Sequence, residues 1–420
     1  MSPNLKLSAT IAVLFTLAVS SATAKTFDVR QSGATGDGKT LDTTAIQKAL
    51  DDCEKSGGGI VELPAGTYLS RPIFLRNGTT LQLDAGAVLQ ARDEPADFLD
   101  AKGATIAFVN GKQLRDIAIT GRGTIDGAGA RWWAPVRAAK KSGAKEKETV
   151  HRPRMIVLAN CKNVRVEGVT LQNSPSFHLV PSDCTDVIIS GVTIRAPADS
   201  PNTDAMDPSC KNLLVTNCTF DVGDDNIAIK AGHATGAGIF QDENITVIGC
   251  TFLHGHGMSI GSETRGGVKN LLVTNCTFNG TTSGIRIKTS RDRGGLIEGA
   301  VYTDLTMKNV EVPINITCYY PKVPATDAAQ PVTENTPIYR DILIKNLTAS
   351  GPKSAGFIVG LPEMCISNVV FENVTLATKT GLTIRNAQGI QFKNSTVTVQ
   401  SGAPFTAENA TVTGLADAKK

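Results

Sequence analysis

Val164-Arg165-Val166-Glu167-Gly168-Val169-Thr170 alternates apolar and polar side chains up to a glycine, then resumes with an apolar residue and a threonine. Alternation of this kind marks a strand with one face buried. The pattern returns at 187–193, 213–219, 245–251, 271–277, 305–310, 342–348, 369–375 and 390–396. A Gly or Asn marks each copy, at 168, 191, 217, 249, 275, 309, 346, 373 and 394, so the steps run from 21 to 37 residues. A supersecondary unit repeated at such spacing is a solenoid. No helical pattern long enough for an α-solenoid separates the copies. The chain is therefore expected to be all-β, a parallel β-helix with one coil per repeat and strands stacked about 4.8 Å apart.

Composition agrees with that reading. The 420 residues include 40 glycines and only 5% aromatics, which suits repetitive strands and frequent turns. A hydrophobic content of 41% excludes disorder, and a formal charge of +3 excludes a polybasic nucleic-acid arm. Beyond the N-terminus no apolar run is long enough to span a bilayer. Lys6, the apolar run 11–19 and Ala22-Thr23-Ala24 read as a charged region, a short hydrophobic region and an A-x-A cleavage site. Residues 1–24 are thus expected to be a signal peptide and the protein to be secreted, extracellular or periplasmic. Residues 25–400 should form a single β-helix domain. Residues 401–420, polar and small, should be a loose tail.

The repeat also interprets the cysteines. Cys218, Cys250 and Cys276 each follow a marker, and Cys161, Cys184 and Cys210 each lie seven residues before one. Six of the nine cysteines should therefore stack in two ladders as small buried residues. Free thiols are the expectation, although neighbouring rungs are close enough for disulfides. The N-x-[ST] matches at Asn217, Asn275, Asn346 and Asn373 coincide with markers and read as stacked turn asparagines rather than glycan sites. From Thr43 the apolar residues Ile46, Ala49, Leu50 and Cys53 fall on one helical face. Thr43 or Thr44 is the expected N-cap, and Gly57-Gly58-Gly59 the stop. A short helix here would cap the open end of the solenoid.

Four polar clusters interrupt consecutive copies: Asn202-Thr203-Asp204, Gly223-Asp224-Asp225, Gly255-His256-Gly257 and Arg286-Ile287-Lys288. Asp204, Asp225, His256 and Arg286 stand 13, 8, 7 and 11 residues after their markers, similar places on successive coils in an uncertain register. Singly, each has a plain reading, as a turn acid, a turn histidine or an exposed strand face. Together, three carboxylates, a histidine and two cations would share one patch. Crowded carboxylates cannot all ionise, so one keeps its proton. A protonated carboxyl beside an ionised one suits glycosidic cleavage, an acid for the leaving oxygen and a base for water. Arg286 and Lys288, two apart on a strand, point to one face and imply a substrate with its own negative charge, such as an acidic sugar.

These four motifs, in this order and spacing, resemble the signatures of the polygalacturonase family of glycoside hydrolases. The likeness extends through 223–230 and 256–263, where it looks especially like the bacterial members. It also takes in Gly36-Asp37-Gly38-Lys39, residues 63–68, Gly123-Thr124-Ile125-Asp126-Gly127 and Trp132-Trp133. The resemblance implies a right-handed parallel β-helix that hydrolyses α-1,4-linked galacturonan with inversion. Asp224 would be the general acid, and Asp204 and Asp225 would hold and activate the water. His256 would support the acid's protonation or a hydrogen bond at the cleavage site. Arg286 and Lys288 would bind the galacturonate carboxylate. Asn202, Lys230, Tyr320 and His178 are further candidate substrate-binding residues, with wall packing an equal reading for Tyr320 and a structural role favoured for His178. Carboxylates one strand spacing apart would by the separation rule predict retention. The resemblance predicts inversion, with Asp204 and Asp225 together seating a water.

A pectate lyase would share the polymer but needs a calcium cage and an arginine base, and no additional acidic cluster suggests one. A rhamnogalacturonan hydrolase would not be expected to carry the His256 and Arg286/Lys288 motifs. A non-catalytic β-helix would need none of the four. No metal or cofactor, no membrane and no nucleic-acid partner is expected, and the protein should be a monomer acting on de-esterified pectin. No additional N-terminal domain is evident, which favours endo over exo action. The insertions between 217 and 249 and from 275 to 346 leave room for a walled subsite.

Overall fold

In a computed structural model describing residues 24–142, 152–232, 234–235 and 238–415, parallel pairing runs from Thr26 to Thr413. Twenty-eight strands join in one sheet that wraps the molecule, and a separate ladder of four stacks Ile73–Phe74, Val109–Lys112, Ile156–Ala159 and Leu179–Ser182. The register shows the coil directly. Val164 faces Ile117 on one side and Val187 on the other, and the row continues through Leu213, Ile245, Leu271, Ala300, Ile342, Val369 and Ile390. Each of these side chains is buried, so the alternating residues enclose the core and their backbone groups pair with the coils above and below. Phe220, Phe252 and Phe278 stack inside it, with ring centroids 5.4 and 4.4 Å apart.

The markers turn the chain through left-handed conformations, which Gly, Asn and Asp tolerate best. Their φ angles lie between 48° and 74°. Asn373 Nδ2 donates to Asn346 Oδ1 at 3.1 Å, and Asn346 Nδ2 to Asp304 Oδ1 at 2.9 Å. One marker differs from the reading above. The copy placed at 305–310 begins at Ala300, and its marker is Asp304 rather than Asn309. Asn309 is also left-handed but occupies another corner, where its Nδ2 bonds Asn279 Oδ1 at 3.3 Å. Two corners use the same residue type, and sequence spacing alone does not separate them.

The predicted helix is α1, Thr43–Lys55, with Ala45, Ile46, Ala49, Leu50 and Cys53 buried against the first coils. Its N-cap position is held by Asp42, while the Thr43 hydroxyl accepts from Arg71 N at 2.8 Å. Helix α2, Ala130–Ser142, was not anticipated, because Pro135 interrupts its pattern. Trp133 pins α2 through an Nε1 hydrogen bond to Ser174 O at 3.0 Å. The expected loose tail instead contains strand Phe405–Thr413, paired in parallel with Thr380–Lys393. Its side chains are mostly exposed because it closes the stack, so polar composition there reflects a terminal coil rather than a free one. All nine cysteines are free thiols, and Cys184 faces Cys210 across adjacent coils. The signal-peptide reading falls on residues outside those described, Ala24 excepted. No helix among the described residues is long and apolar enough to cross a membrane.

Candidate active site

One face of the coil settles the register that sequence left open. Leu179 bridges Met206, which bridges Ile227, and Ile227 pairs with Met258 and that with Ile285. Two residues before the first four stand Phe177, Asp204, Asp225 and His256, on successive coils of one column. One residue after the last four stand Asp207, Ala228, Ser259 and Arg286. Strand stacking thus sets the acids beside the cations although the chain separates them widely.

Oxygens of Asp204, Asp224 and Asp225 all lie within 4.8 Å of one another. Asp225, 2% exposed, is the deepest and the most heavily bonded. Its Oδ1 accepts from Arg286 Nη1 at 2.7 Å and Ser259 Oγ at 2.9 Å, and its Oδ2 from Lys288 Nζ at 2.7 Å. Burial works to raise its pKa, but Lys288 and Arg286 overcome that and hold the carboxyl well below the usual range. Asp204 shows the opposite balance. Its Oδ1 is buried without a hydrogen-bond partner among the described residues, and burial together with Asp207, Asp224 and Asp225 pushes its pKa well up. The cluster therefore combines a fixed carboxylate with a group that retains a proton.

Asp224 faces outward, its side chain 24% exposed against 2% for Asp225. Asn202 Nδ2 approaches its Oδ2 at 3.5 Å, and His256 Nε2 stands 3.7 Å from its Oδ1. His256 bonds the Thr282 hydroxyl through Nδ1, and burial lowers its pKa against the pull of Asp225 and Asp224. The flanking glycines are required by packing. A Cβ at Gly255 would lie 2.3 Å from Asp224 O, and one at Gly257 2.2 Å from Ser283 O, both at positive φ.

Lys288 presents its ammonium to the face of Tyr320, 5.1 Å from the ring centroid, and Tyr320 is half-exposed beside it. Lys230, one residue past strand Ile227–Ile229, pairs with Glu263 at 3.3 Å and is mostly covered. His178 does not reach a subsite. It is wholly buried, its Nε2 accepting from Ser174 N at 3.2 Å and its Nδ1 lying 3.1 Å from Asp204 O. The ring is a strut under Asp204, and burial lowers its pKa to about 4.

Sequence reading missed several supports. Asn226 receives Gly257 N and donates to His254 O, both at 2.8 Å, fastening the His256 loop. Arg152 Nη2 donates to Asn202 Oδ1 at 2.7 Å and Nη1 to Pro201 O at 2.6 Å, fastening the Asn202 turn. Asp207 is buried with neither oxygen bonded among the described residues, and burial raises its pKa to about 7 against the pull of Lys230. Ser259 was detectable, since it shares a strand face with Arg286 once the register is known. If a cation were held here, Asp204, Asp224 and Asp225 are the donors, but both oxygens of Asp225 already accept from cationic side chains.

The profile of glycosyl hydrolases family 28 matches residues 53–399. The chain belongs to that family. An endo-polygalacturonase of Pectobacterium parmentieri is 35% identical over 367 residues, covering 82% of this chain and 86% of that protein. The solved polygalacturonase of Erwinia carotovora ssp. carotovora is 30% identical with a TM-score of 0.73, covering 93% of this chain and 97% of that one. An exopolygalacturonase of Thermotoga maritima is 26% identical with a TM-score of 0.73, covering 88% and 92%. The protein is thus a glycoside hydrolase of the polygalacturonase family, and its coil is the right-handed parallel β-helix of these family 28 enzymes. The family includes both endo- and exo-acting relatives of this chain.

Proposed function

We propose that this family 28 enzyme hydrolyses α-1,4 bonds between galacturonate residues with inversion, cutting within the polymer. The observation that carries the reading is the pinning of Asp225 by Arg286 and Lys288 within 4.8 Å of Asp204 and Asp224 oxygens. Asp224, the accessible member, donates its proton to the glycosidic oxygen as the bond to C1 breaks. A water seated by Asp204 and Asp225 attacks C1 from the opposite side and gives its proton to Asp225. The cluster's proton belongs to the group as a whole, since carboxyls this close titrate together. Both oxygens of Asp225 are held by cations and Ser259, which leaves neither free to form a covalent bond to C1 despite the short separation, while a water between Asp204 and Asp225 can still be oriented. Arg286 and Lys288 remain at the cleft floor, where their other N–H groups meet the sugar carboxylate.

Mid-chain cutting needs a groove that continues past the site. Upstream of Asn202 a cavity of about 720 Å³ runs on towards Asn110. Exo action has one observation in its favour at the other end. Residues 321–337 are strapped beside Lys288 by Arg291, which bonds Glu363 and Asp327, and by Arg385, which donates to Pro324 O and Ala325 O. De-esterified polygalacturonate with chelator present tests the reading. A rapid viscosity drop at small reducing-end release, with inverted product anomers by NMR, is expected. Retained anomers would overturn the mechanism, and monomer or dimer release with slow viscosity loss would establish exo action. We also propose that the chain is exported, from the leader-like pattern of residues 1–24.

A further inference from the structure

The column that carries Asp204 continues upstream. Ile156 pairs with Leu179, so Arg154 stands one coil before Phe177 and two before Asp204, roughly 10 Å away. The backbone confirms the stacking, with Met155 N donating to Phe177 O at 2.9 Å and His178 N to Asp204 O at 2.9 Å. The two arginines of this segment differ. Arg152 is committed to Pro201 O, Pro175 O and Asn202, and so shapes the cleft. Arg154 is exposed, its guanidinium lies 5.2 Å from the Phe177 ring centroid, and it makes no ion pair among the described residues, although its charge reaches buried Asp207. Both line the same cavity of about 720 Å³, with Asn110, Ser176 and Asn202.

A guanidinium near an aromatic face, with no ion pair holding it, has its N–H fork available to take a carboxylate through two hydrogen bonds. The Phe177 ring offers an apolar face against which a pyranose can rest. A 4-linked uronate chain advances by close to one coil per sugar, so a substrate lying along the column brings one carboxylate to Asp204's coil and another to Arg154. We propose that Arg154 and Phe177 form a second carboxylate subsite, which holds the galacturonate two sugars upstream of the one above Asp204. This rests on the polygalacturonan reading given above. The site mirrors Arg286 and Lys288 at the other end of the cleft, but binds sugar without touching the reacting atoms.

Arg154→Gln and Arg154→Lys are compared with the wild-type enzyme on oligogalacturonates of increasing length. Arg154→Gln is expected to match wild type on oligomers too short to reach from Asp224 to Arg154. On longer oligomers kcat/KM should fall about tenfold or more, the size of a lost charged hydrogen bond. Arg154→Lys should recover part of the loss. Equal kinetics of Arg154→Gln and wild type at every length would overturn the subsite, and so would a uniform loss that includes the shortest oligomers. A wild-type enzyme that leaves every oligogalacturonate uncut would instead overturn the substrate reading, and the subsite with it.

Discussion

Asp225 sits between an ammonium and a guanidinium, and that placement decides its charge and the roles of its neighbours. Once Asp225 is a fixed anion, crowding leaves the proton to the rest of the cluster, and only Asp224 is open enough to deliver it. Asp224→Asn should therefore lower kcat by about 10²–10⁴ while thermal unfolding stays within a degree or two of wild type. Near-normal turnover in that variant would remove Asp224 from the acid role. Lys288 is less simple than its motif suggested. As a pure carboxylate binder its loss would raise KM alone. Because its Nζ holds Asp225 Oδ2 at 2.7 Å, Lys288→Ala should also lower kcat. Steady-state kinetics separate the two, and an unchanged kcat would show that Arg286 suffices to hold Asp225.

Among the elements, the corners are under the strongest local constraint. A left-handed residue with a Cβ costs roughly 1–2 kcal/mol unless its side chain repays that locally, and asparagine does so through the ladder. Asn346 both donates to Asp304 and accepts from Asn373. Asn346→Ala should destabilise by about 1–3 kcal/mol in denaturant unfolding, whereas Asn346→Gly should lose less, since glycine takes the conformation freely. Equal losses would mean that the side-chain ladder, not the backbone strain, carries the stability. This element also explains what was legible. Alternation and corner residues were readable at 164–170 because both rules apply within one coil. They failed at 309, where a second corner uses the same asparagine, and at α2, where packing of Trp132 and Trp133 overrides an interrupted helical pattern.

For the whole molecule, pH couples the site to stability. Asp207, raised to about 7 by burial, holds a proton in the folded enzyme where the unfolded chain has released it. Between about pH 4 and 7 the folded state binds more protons there, so this group's contribution falls as pH rises. His178 and His256, lowered by burial, contribute the opposite slope and cancel between variants, so the difference reports Asp207 together with Asp204, whose raised pKa rests partly on the Asp207 charge. Asp207→Asn should gain stability relative to wild type as pH rises from about 4 to 7, by up to about 1.4 kcal/mol per pH unit. A difference independent of pH would show that Asp207 is ionised throughout. Activity should itself be bell-shaped, falling at low pH as Asp225 is protonated and at high pH as the cluster loses its proton. A flat profile between about pH 3 and 9 would contradict an acid/base pair.

Sequence by itself determined the coil, the capping helix and the membership of Asp204, Asp224, Asp225, His256, Arg286 and Lys288 in one patch. Those follow from periodicity and spacing, which are local and repeat. It favoured a structural role for His178 without placing its ring under Asp204, and it gave neither the bond between Lys288 and Asp225 nor the open guanidinium of Arg154. Each depends on which residues of different coils share a column, and that register is set by loops of unequal length between the repeats. Tertiary structure alone decides it, because a shift of one residue along a strand turns every side chain to the opposite face.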